Sequence, residues 1–354
     1  MAVAEPGAPV EEAGAVRGED AFDVEAVAAW LGAHGVQGVP EVRQFPGGAS
    51  NLTYLLTYPD RQLILRRPPV GAKARGAHDM RREHTIQSGL APVFPYVPAM
   101  VAFCDDPAVL GSDFYVMERV PGAILRAQLP AGTTLSRDQA GRLCEAFVDR
   151  LAELHGVDPQ SAGLQALGRG PGYVERQVTG WCERYRRART PDVGDFGAVM
   201  RGLAERQPAD SGTCVIHNDY RLDNVVLDAD LGTIRAVLDW EMATLGDPLM
   251  DLGGAMAYWQ EADDAADLRS LSRQPSALPG MWSRARVVEH YLGRTGRVVD
   301  DWRFYEVFGA FRLAVILQQI YYRFVHGQTS NAAFAGFGAA VGVLERHCLQ
   351  LLSR

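Results

Sequence analysis

Acidic and amide side chains cluster between residues 215 and 253, in the strings VIHNDYRLDN and VLDWE. Asn224 and Asp239 supply oxygen atoms, which Mg²⁺ prefers and usually combines with phosphate oxygens and water. Asp219 has the chemistry to accept a proton from a hydroxyl group. A loop-capping carboxylate and a turn-forming asparagine are the structural alternatives, and the residues alone leave them open.

Apolar patterns predict the elements that position these groups. In the first 120 residues we expect five strands, at 41–45, 53–58, 62–67, 100–104 and 114–120, with one helix over about 79–90 after the third. The later part reads as mainly helical, over about 136–155, 172–189, 195–207, 248–259, 283–295, 300–325 and 331–352. Short β-like runs at 214–216, 225–227 and 234–239 lead into the acidic groups. The chain is therefore predicted to be an α+β protein, with a small β-rich lobe before a larger helical one.

Composition and charge narrow the functional classes. The 354 residues are 47% hydrophobic and 22% charged, which is ordinary globular usage. A net charge of −8 argues against a general nucleic-acid binder. The five cysteines are widely spread, without a CxxC pair, and predict free thiols. With neither a signal peptide nor a membrane span expected, the predicted location is cytoplasmic.

The pattern H-x-D-x-x-x-x-N from His217 to Asn224, followed by Asp239, resembles the catalytic and magnesium loops of kinase-like phosphotransferases. The strings LILRRPP, AHDMRREHTIQSGL, FYVMERVPG, HNDYRLDN and VLDWEMATLGDPLMDLG occur in the order of the aminoglycoside phosphotransferase and choline kinase-like family. Within it, the chain most resembles the kinase-like domains associated with acyl-CoA dehydrogenases. The resemblance implies a protein-kinase-like two-lobe fold, in which a small antiparallel sheet with one inserted helix precedes a mainly helical lobe.

The resemblance also implies roles for the clustered residues. Asp219 corresponds to the catalytic Asp that orients and deprotonates the acceptor hydroxyl, and Asn224 and Asp239 correspond to the magnesium ligands. Arg221 either contacts the γ-phosphate or is a surface arginine. Glu241 is either a further group near the metal or a surface carboxylate.

Two nearby residues are expected to support the loop and to take no part in the chemistry. His217 corresponds to a histidine that braces the catalytic loop in this family. Asp251, in GDPLMDLG, resembles the Asp that bonds the backbone of that loop.

The family's strand lysine is missing from this sequence. The only lysine is Lys73, in a Gly-rich stretch after the third predicted strand. The strand position is Arg66, whose guanidinium can bind phosphate oxygens with two donors. Its partner on the following helix would be Glu83. The alternative for this pair is a surface ion pair of little energetic value.

The predicted nucleotide loop is the Gly-rich stretch 45–51. There the backbone, Gly48 and Ser50 could cradle phosphates, although an ordinary hairpin turn fits the same residues. By position, Glu118 and Val120 belong to the linker whose backbone would pair with a purine edge. We therefore predict a disordered leader over 1–20, a nucleotide-binding N-lobe over 21–120, and a C-lobe over 121–354 with the catalytic loop and the acceptor site.

The leading functional hypothesis is a small-molecule kinase that uses ATP or GTP with Mg²⁺. It would transfer the γ-phosphate to a hydroxyl acceptor, with a hydroxyacyl-CoA as one candidate and a functional link to an acyl-CoA dehydrogenase. An aminoglycoside or other antibiotic, or an amino alcohol, is the second choice of acceptor. The missing strand lysine motivates a different class, a nucleotide-binding module without turnover. A hydrolytic metal site at His217, Asp219 and Asp239 is the third hypothesis.

Overall fold

The computed structural model describes residues 13–46, 51–69, 79–129, 132–329 and 331–354. Residue contacts group the chain into two compact units. Unit 1 takes the residues up to 124 together with 161–164 and 224–243. Unit 2 takes 125–160, 165–223 and 244–354. The predicted lobe boundary after residue 120 stays a prediction, while the units place 224–243 with the N-terminal residues.

The strands and helices follow the apolar patterns closely. The strands are β1 (Glu41–Gln44), β2 (Leu52–Thr57), β3 (Gln62–Arg67), β4 (Met100–Cys104), β5 (Phe114–Glu118), β6 (Cys214–Ile216), β7 (Val225–Leu227), β8 (Ile234–Val237) and β9 (Thr244–Gly246). The helices are α1 (Val24–Gly32), α2 (Met80–Leu90), α3 (Pro107–Leu110), α4 (Arg137–His155), α5 (Tyr173–Ala188), α6 (Gly197–Glu205), α7 (Pro248–Met256), α8 (Ala266–Arg269), α9 (Arg284–Thr295), α10 (Arg303–Val325) and α11 (Phe337–Leu352). Short 3₁₀ turns include Leu222–Asn224 and Trp240–Met242.

Unit 1 is built on a five-stranded sheet of order β1-β2-β3-β5-β4, in which the neighbouring strands are antiparallel. Strand β2 alternates in burial, with Leu52, Tyr54 and Leu56 turned into the core. Helix α2 lies between β3 and β4 in the sequence, and its N-cap is Asp79, whose side chain accepts a hydrogen bond from the Arg82 amide. The predicted fold class, a small antiparallel sheet with an inserted helix before a mainly helical part, is confirmed.

The predicted disordered leader is wrong for residues 13–20. Gly14 exchanges two backbone hydrogen bonds of 2.9 Å with Gln44 on β1. Asp20 is buried, accepts a hydrogen bond from the Gln44 side chain, and its carbonyl accepts another from the Tyr54 hydroxyl. The segment is ordered by these contacts with distant residues, which its Ala-, Gly- and Glu-rich composition does not reveal. Residues 1–12 lie outside the described residues.

Unit 2 is mainly helical, and two of its helices approach each other through glycines. On α10, a Cβ added to Gly309 would lie 2.2 Å from the carbonyl oxygen of Gly253 on α7. A Cβ on Gly253 would lie 2.6 Å from the carbonyl oxygen of Tyr305. Only glycine permits backbones this close. The contact fixes α7, and α7 carries the Asp251 side chain that supports the candidate catalytic loop.

Two further observations bear on the sequence expectations. The five cysteines are buried and free. Across the described parts of the chain, no helix combines the length and apolar character that a membrane span would need.

Candidate active site

The loop that carries Asp219 follows strand β6, which pairs with β9 in unit 2. Its backbone is held by one carboxylate: the amides of His217 and Asn218 each donate to Asp251, at 2.7 Å. Asn218 has a φ of 64°, in the left-handed region, where asparagine is tolerated better than most residues. The Asp219 amide lies 3.2 Å from His217 Nδ1 and donates to it. His217 and Asp251 therefore brace the loop that presents Asp219.

A second histidine holds Asp251 from the other side. His155, at the end of α4, has Nε2 at 3.1 Å from Asp251 Oδ2 and Nδ1 at 2.6 Å from the Tyr291 hydroxyl. Burial would raise the pKa of the Asp251 carboxyl, but the interactions with His155 and His217 outweigh burial and the pKa is lowered. The carboxylate that supports the loop is thus stabilised in its charged form.

Arg221 is held against the predicted catalytic base. Its Nη2 lies 3.2 Å from Asp219 Oδ2, and its Nε lies 3.2 Å from Asp223 Oδ1. The guanidinium also stacks over the Tyr258 ring, 4.7 Å from the centroid. The Arg221 side chain is 14% exposed, so it is not a solvated surface arginine. Burial raises the pKa of Asp223, and the Arg221 charge opposes that rise.

Unit 1 brings Arg66 together with two carboxylates. Arg66 is on β3 and its Nη2 donates to Asp239 Oδ1 at 3.0 Å. Its Nε lies 3.6 Å from Glu83 Oε2 on α2, a separation at which the attraction is electrostatic. The side chains are little exposed, at 11% for Arg66 and 1% for Glu83. The Arg66–Glu83 pair is therefore buried and is not a surface ion pair. Arg66 also contacts the predicted metal ligand Asp239.

Glu83 has two further partners that the sequence did not indicate. Asn51 Nδ2 donates to Glu83 Oε1 at 2.8 Å, and the Tyr115 hydroxyl donates to Glu83 Oε2 at 2.7 Å. Burial raises the pKa of Glu83, while the Arg66 charge and the Tyr115 hydrogen bond oppose that rise. Asn51 is the last residue of the Gly-rich stretch 45–51, and that position is the one signal in the sequence that could have suggested a role for it.

The Asp239–Glu241 segment is tied into the same network. Asn51 Nδ2 also lies 3.1 Å from Glu241 Oε2 and donates to it. Arg82, on α2, donates to the backbone carbonyl of Glu241 at 3.1 Å and to that of Ala243 at 2.5 Å. Glu241 is thus joined to the residues around Arg66 through Asn51, which distinguishes it from an isolated surface carboxylate.

Asn224 and Asp239 are neighbours across the paired strands β7 and β8. The Leu238 amide donates to the Asn224 carbonyl at 2.8 Å, one residue before Asp239. Asp239 has a φ of 65°, a conformation that costs a non-glycine residue about 1 kcal/mol or more. An amide oxygen and a carboxylate suit Mg²⁺ as a partial ligand set, completed by phosphate oxygens and water. Among the described residues, no group of three or more His, Cys, Asp or Glu side chains is arranged so that it could hold a metal ion.

The remaining predicted residues are less informative. Gly48 and Ser50 of the predicted nucleotide loop, and Lys73, lie outside the described residues. Glu118 ends β5, pairs through its side chain with Arg61, and donates its amide to the Ala99 carbonyl at 2.8 Å. Val120 follows the strand. The assignment of Glu118 and Val120 to a purine-binding linker stays a prediction.

The fold, the loop that carries Asp219 in unit 2 and the residues around Arg66 in unit 1 are typical of kinase-like phosphotransferases. Residues 41–288 match the model of the family described as "Phosphotransferase enzyme family". The chain belongs to this family, as the sequence motifs predicted.

The chain is also similar to a curated protein that is named for a second activity. "Acyl-CoA dehydrogenase family member 10" of Mus musculus is 34% identical over 303 residues, which is 85% of this chain. The match spans only 28% of that relative's length. The predicted similarity to kinase-like domains of acyl-CoA dehydrogenase proteins is confirmed.

Solved structures agree on the fold. A Ralstonia eutropha protein named as a candidate aminoglycoside phosphotransferase is 31% identical, with a TM-score of 0.80 and coverage of 94% of this chain and 99% of that one. A mutant of aminoglycoside phosphotransferase APH(4)-Ia, in a ternary complex with AMP-PNP and hygromycin B, has a TM-score of 0.58 at 14% identity, with coverage of 93% and 97%. The second likeness shows the fold alone.

Proposed function

We propose that this protein is a small-molecule kinase that transfers the γ-phosphate of ATP or GTP to a hydroxyl group of its acceptor. The observation that carries the proposal is the contact of the little-exposed Arg66 side chain with buried Glu83 and with Asp239 in unit 1. In kinase-like enzymes a basic strand residue paired with a helix Glu orients the nucleotide phosphates. Here an arginine occupies that position, and its two-donor fork suits phosphate oxygens.

Magnesium would be held in unit 1 by Asn224 and Asp239, and it would neutralise charge on the phosphates. In unit 2, Asp219 would accept the proton of the acceptor hydroxyl as the oxygen attacks phosphorus. Its loop is held by Asp251 through two backbone amides, so the base is positioned before any ligand binds. Arg221, 3.2 Å from the Asp219 carboxylate, would face the transferred phosphate.

For the acceptor we propose a hydroxyacyl-CoA or a related hydroxy acid derivative. The support is the similarity to a relative that is named as an acyl-CoA dehydrogenase family member. A functional link to an acyl-CoA dehydrogenase, which would process the acyl chain, is part of this proposal. An aminoglycoside or an amino alcohol remains the alternative acceptor.

The test is transfer of labelled γ-phosphate from ATP and from GTP, with Mg²⁺, to hydroxyacyl-CoAs, aminoglycosides, macrolides and choline. We expect a labelled product with one acceptor class. The Asp219→Asn variant should lose at least about a hundredfold in kcat, a typical contribution of general-base catalysis, while its affinity for AMP-PNP stays within about twofold of that of the unsubstituted protein.

The outcomes separate the hypotheses. Transfer that does not need Asp219 would contradict the assigned mechanism. Tight AMP-PNP binding without transfer to any member of the panel would support the binding module that the missing strand lysine suggests.

A further inference from the structure

In unit 2, the side chains of Arg184 and Arg312 both lie against the ring of Trp181, close to the loop that carries Asp219. Trp181 on α5 is 6% exposed, and its Nε1 donates to Gln177 Oε1 at 3.1 Å. The guanidinium carbon of Arg184, one turn further along α5, lies 4.6 Å from the centroid of this ring. That of Arg312, on α10, lies 5.3 Å from the same centroid. Both distances are within the range of cation–π attraction.

Arg312 joins this cluster to the catalytic loop. It is 7% exposed, and its Nη2 donates to the backbone carbonyl of Asn218 at 2.5 Å. Asn218 is the residue before Asp219, so a buried positive charge lies next to the proposed base. Arg184, in contrast, is exposed to solvent. The cluster therefore extends from the loop to the surface of unit 2.

Neither guanidinium faces a carboxylate. Within the described part of the chain, no Asp or Glu oxygen lies within 4.0 Å of the Arg184 or the Arg312 guanidinium. Arg221 and Arg66 differ in this respect, because both contact carboxylates. Partial burial lowers the pKa of Arg184, the charges of Arg187 and Arg312 act in the same direction, and the neighbouring Glu183 charge opposes them without forming an ion pair. A buried charge is costly unless it is paired, and the buried Arg312 guanidinium forms no ion pair with a carboxylate of the described residues.

We propose that Arg184, Trp181 and Arg312 form an anion subsite that binds a carboxylate or phosphate group of the acceptor. The inference rests on the proposed function, since it names the class of substrate that this kinase would take. Guanidinium groups bind both anions through paired, charge-assisted hydrogen bonds. An amine at the same place would be repelled by two positive charges. The subsite thus selects acidic hydroxy compounds over aminoglycosides and amino alcohols.

The first test is calorimetric binding of coenzyme A, of 3-hydroxybutyrate and of choline to the full chain without nucleotide. Coenzyme A represents a phosphate-bearing acceptor, 3-hydroxybutyrate a carboxylate-bearing one, and choline a cation. We expect one of the two anions to bind the unsubstituted protein and Asp219→Asn with equal affinity, and choline not to bind. Binding of coenzyme A would identify the anion as a phosphate, and binding of 3-hydroxybutyrate would identify it as a carboxylate. Binding of choline alone, or of no probe, would overturn the proposal.

The second test compares two substitutions on the same helix. Arg184→Gln should weaken binding of the anion about tenfold, as expected for loss of a charge-assisted hydrogen bond, and Arg184→Glu should weaken it further. Arg186→Gln is the matched control, because Arg186 is also exposed on α5 but is not on the Trp181 ring. Equal effects of Arg184→Gln and Arg186→Gln would show a diffuse charge effect and contradict the subsite.

Arg312→Lys tests the buried member of the cluster. It keeps a positive charge near Asn218 but replaces the guanidinium group, which can donate two parallel hydrogen bonds to an anion, by an ammonium group. It should raise KM for the acidic acceptor more than it lowers kcat, whereas a purely structural role for Arg312 would lower kcat and leave KM unchanged. AMP-PNP affinity should be unaffected by Arg184→Gln. A fall in that affinity would assign the anion to the nucleotide and overturn the proposal.

The two proposals fail separately. If phosphate transfer needs Asp219 but anion binding does not need Arg184, the subsite is wrong and the kinase stands. If anion binding needs Arg184 but no acceptor receives phosphate, the kinase assignment is wrong and the subsite binds an anion for another purpose.

Discussion

Replacing Arg66 with Met should destabilise unit 1 strongly, because it leaves Glu83 charged and buried without its cationic neighbour. Removal of one partner of a buried ion pair costs about 3–5 kcal/mol. With Arg66 at 11% and Glu83 at 1% exposed, solvent screening reduces this little. Arg61→Met is the control: the Arg61–Glu118 pair is about one-third exposed, so its loss should cost at most about 1 kcal/mol. Urea unfolding followed by circular dichroism measures both free energies.

A double-mutant cycle isolates the contact itself. Glu83→Gln keeps the shape of the side chain and should cost about 1–3 kcal/mol, because Asn51 and Tyr115 lose a charged acceptor. The double variant Arg66→Met/Glu83→Gln should be more stable than the sum predicts, by about 1–3 kcal/mol. Additive effects, or equal losses in Arg66→Met and Arg61→Met, would refute the reasoning.

The pH dependence gives a second check on the same pair. Burial sets the folded pKa of Glu83 above its unfolded value. Such a group favours folding most below its unfolded pKa, and this contribution is lost as pH rises through the folded pKa. In Arg66→Met the opposing charge is gone, so the folded pKa rises further. The stability difference between the unsubstituted protein and Arg66→Met should therefore narrow as pH falls, and a difference independent of pH would contradict this assignment.

Two other perturbations test the support of the catalytic loop. Asp251→Asn should cost about 3 kcal/mol and most of the transfer activity, since two loop amides lose a charged acceptor. Because the folded pKa of Asp251 is lowered, its stabilisation is present above the unfolded pKa and is lost as pH falls through the folded one, so this gap should close in acid. Gly309→Ala places a Cβ 2.2 Å from the Gly253 carbonyl and should cost about 1–3 kcal/mol in thermal unfolding. Gly141→Ala on α4, where nothing lies within 4 Å, should instead stabilise by about 0.5–1 kcal/mol.

The sequence predicted the parts of the site that lie close together along the chain. The family resemblance of the string from His217 to Asn224 and of the strand end at Asp239 implied the expected base and metal ligands. The same resemblance implied roles for Arg66 and Glu83 on a strand and the next helix. Asn51 and Tyr115 were missed because each reaches Glu83 across 32 residues. A tertiary contact of this kind leaves no periodic pattern, and the two residues read equally well as a turn asparagine and a core tyrosine.

The same limit applies to charged groups whose partners lie far away in the sequence. Asp20 sits in a segment rich in Ala, Gly and Glu, yet it is buried through Gln44 and Tyr54. Arg312 belongs to a long helix whose sequence reads as core, yet its guanidinium reaches the backbone beside Asp219. The local pattern predicted the Arg312 helix correctly and predicted disorder around Asp20 wrongly. In both cases the partner that gives the residue its role came from elsewhere in the fold.

The arginine at the strand position favours a working kinase over a binding module that has lost its chemistry. A lysine offers one nitrogen, whereas Arg66 contacts Glu83 through Nε and Asp239 through Nη2. Two carboxylates this close to each other repel, and burying Glu83 adds a desolvation cost. A site without function would be more stable with apolar groups in these places. Two carboxylates in contact with one arginine are the arrangement expected where Glu83 holds the strand residue and Asp239 binds magnesium.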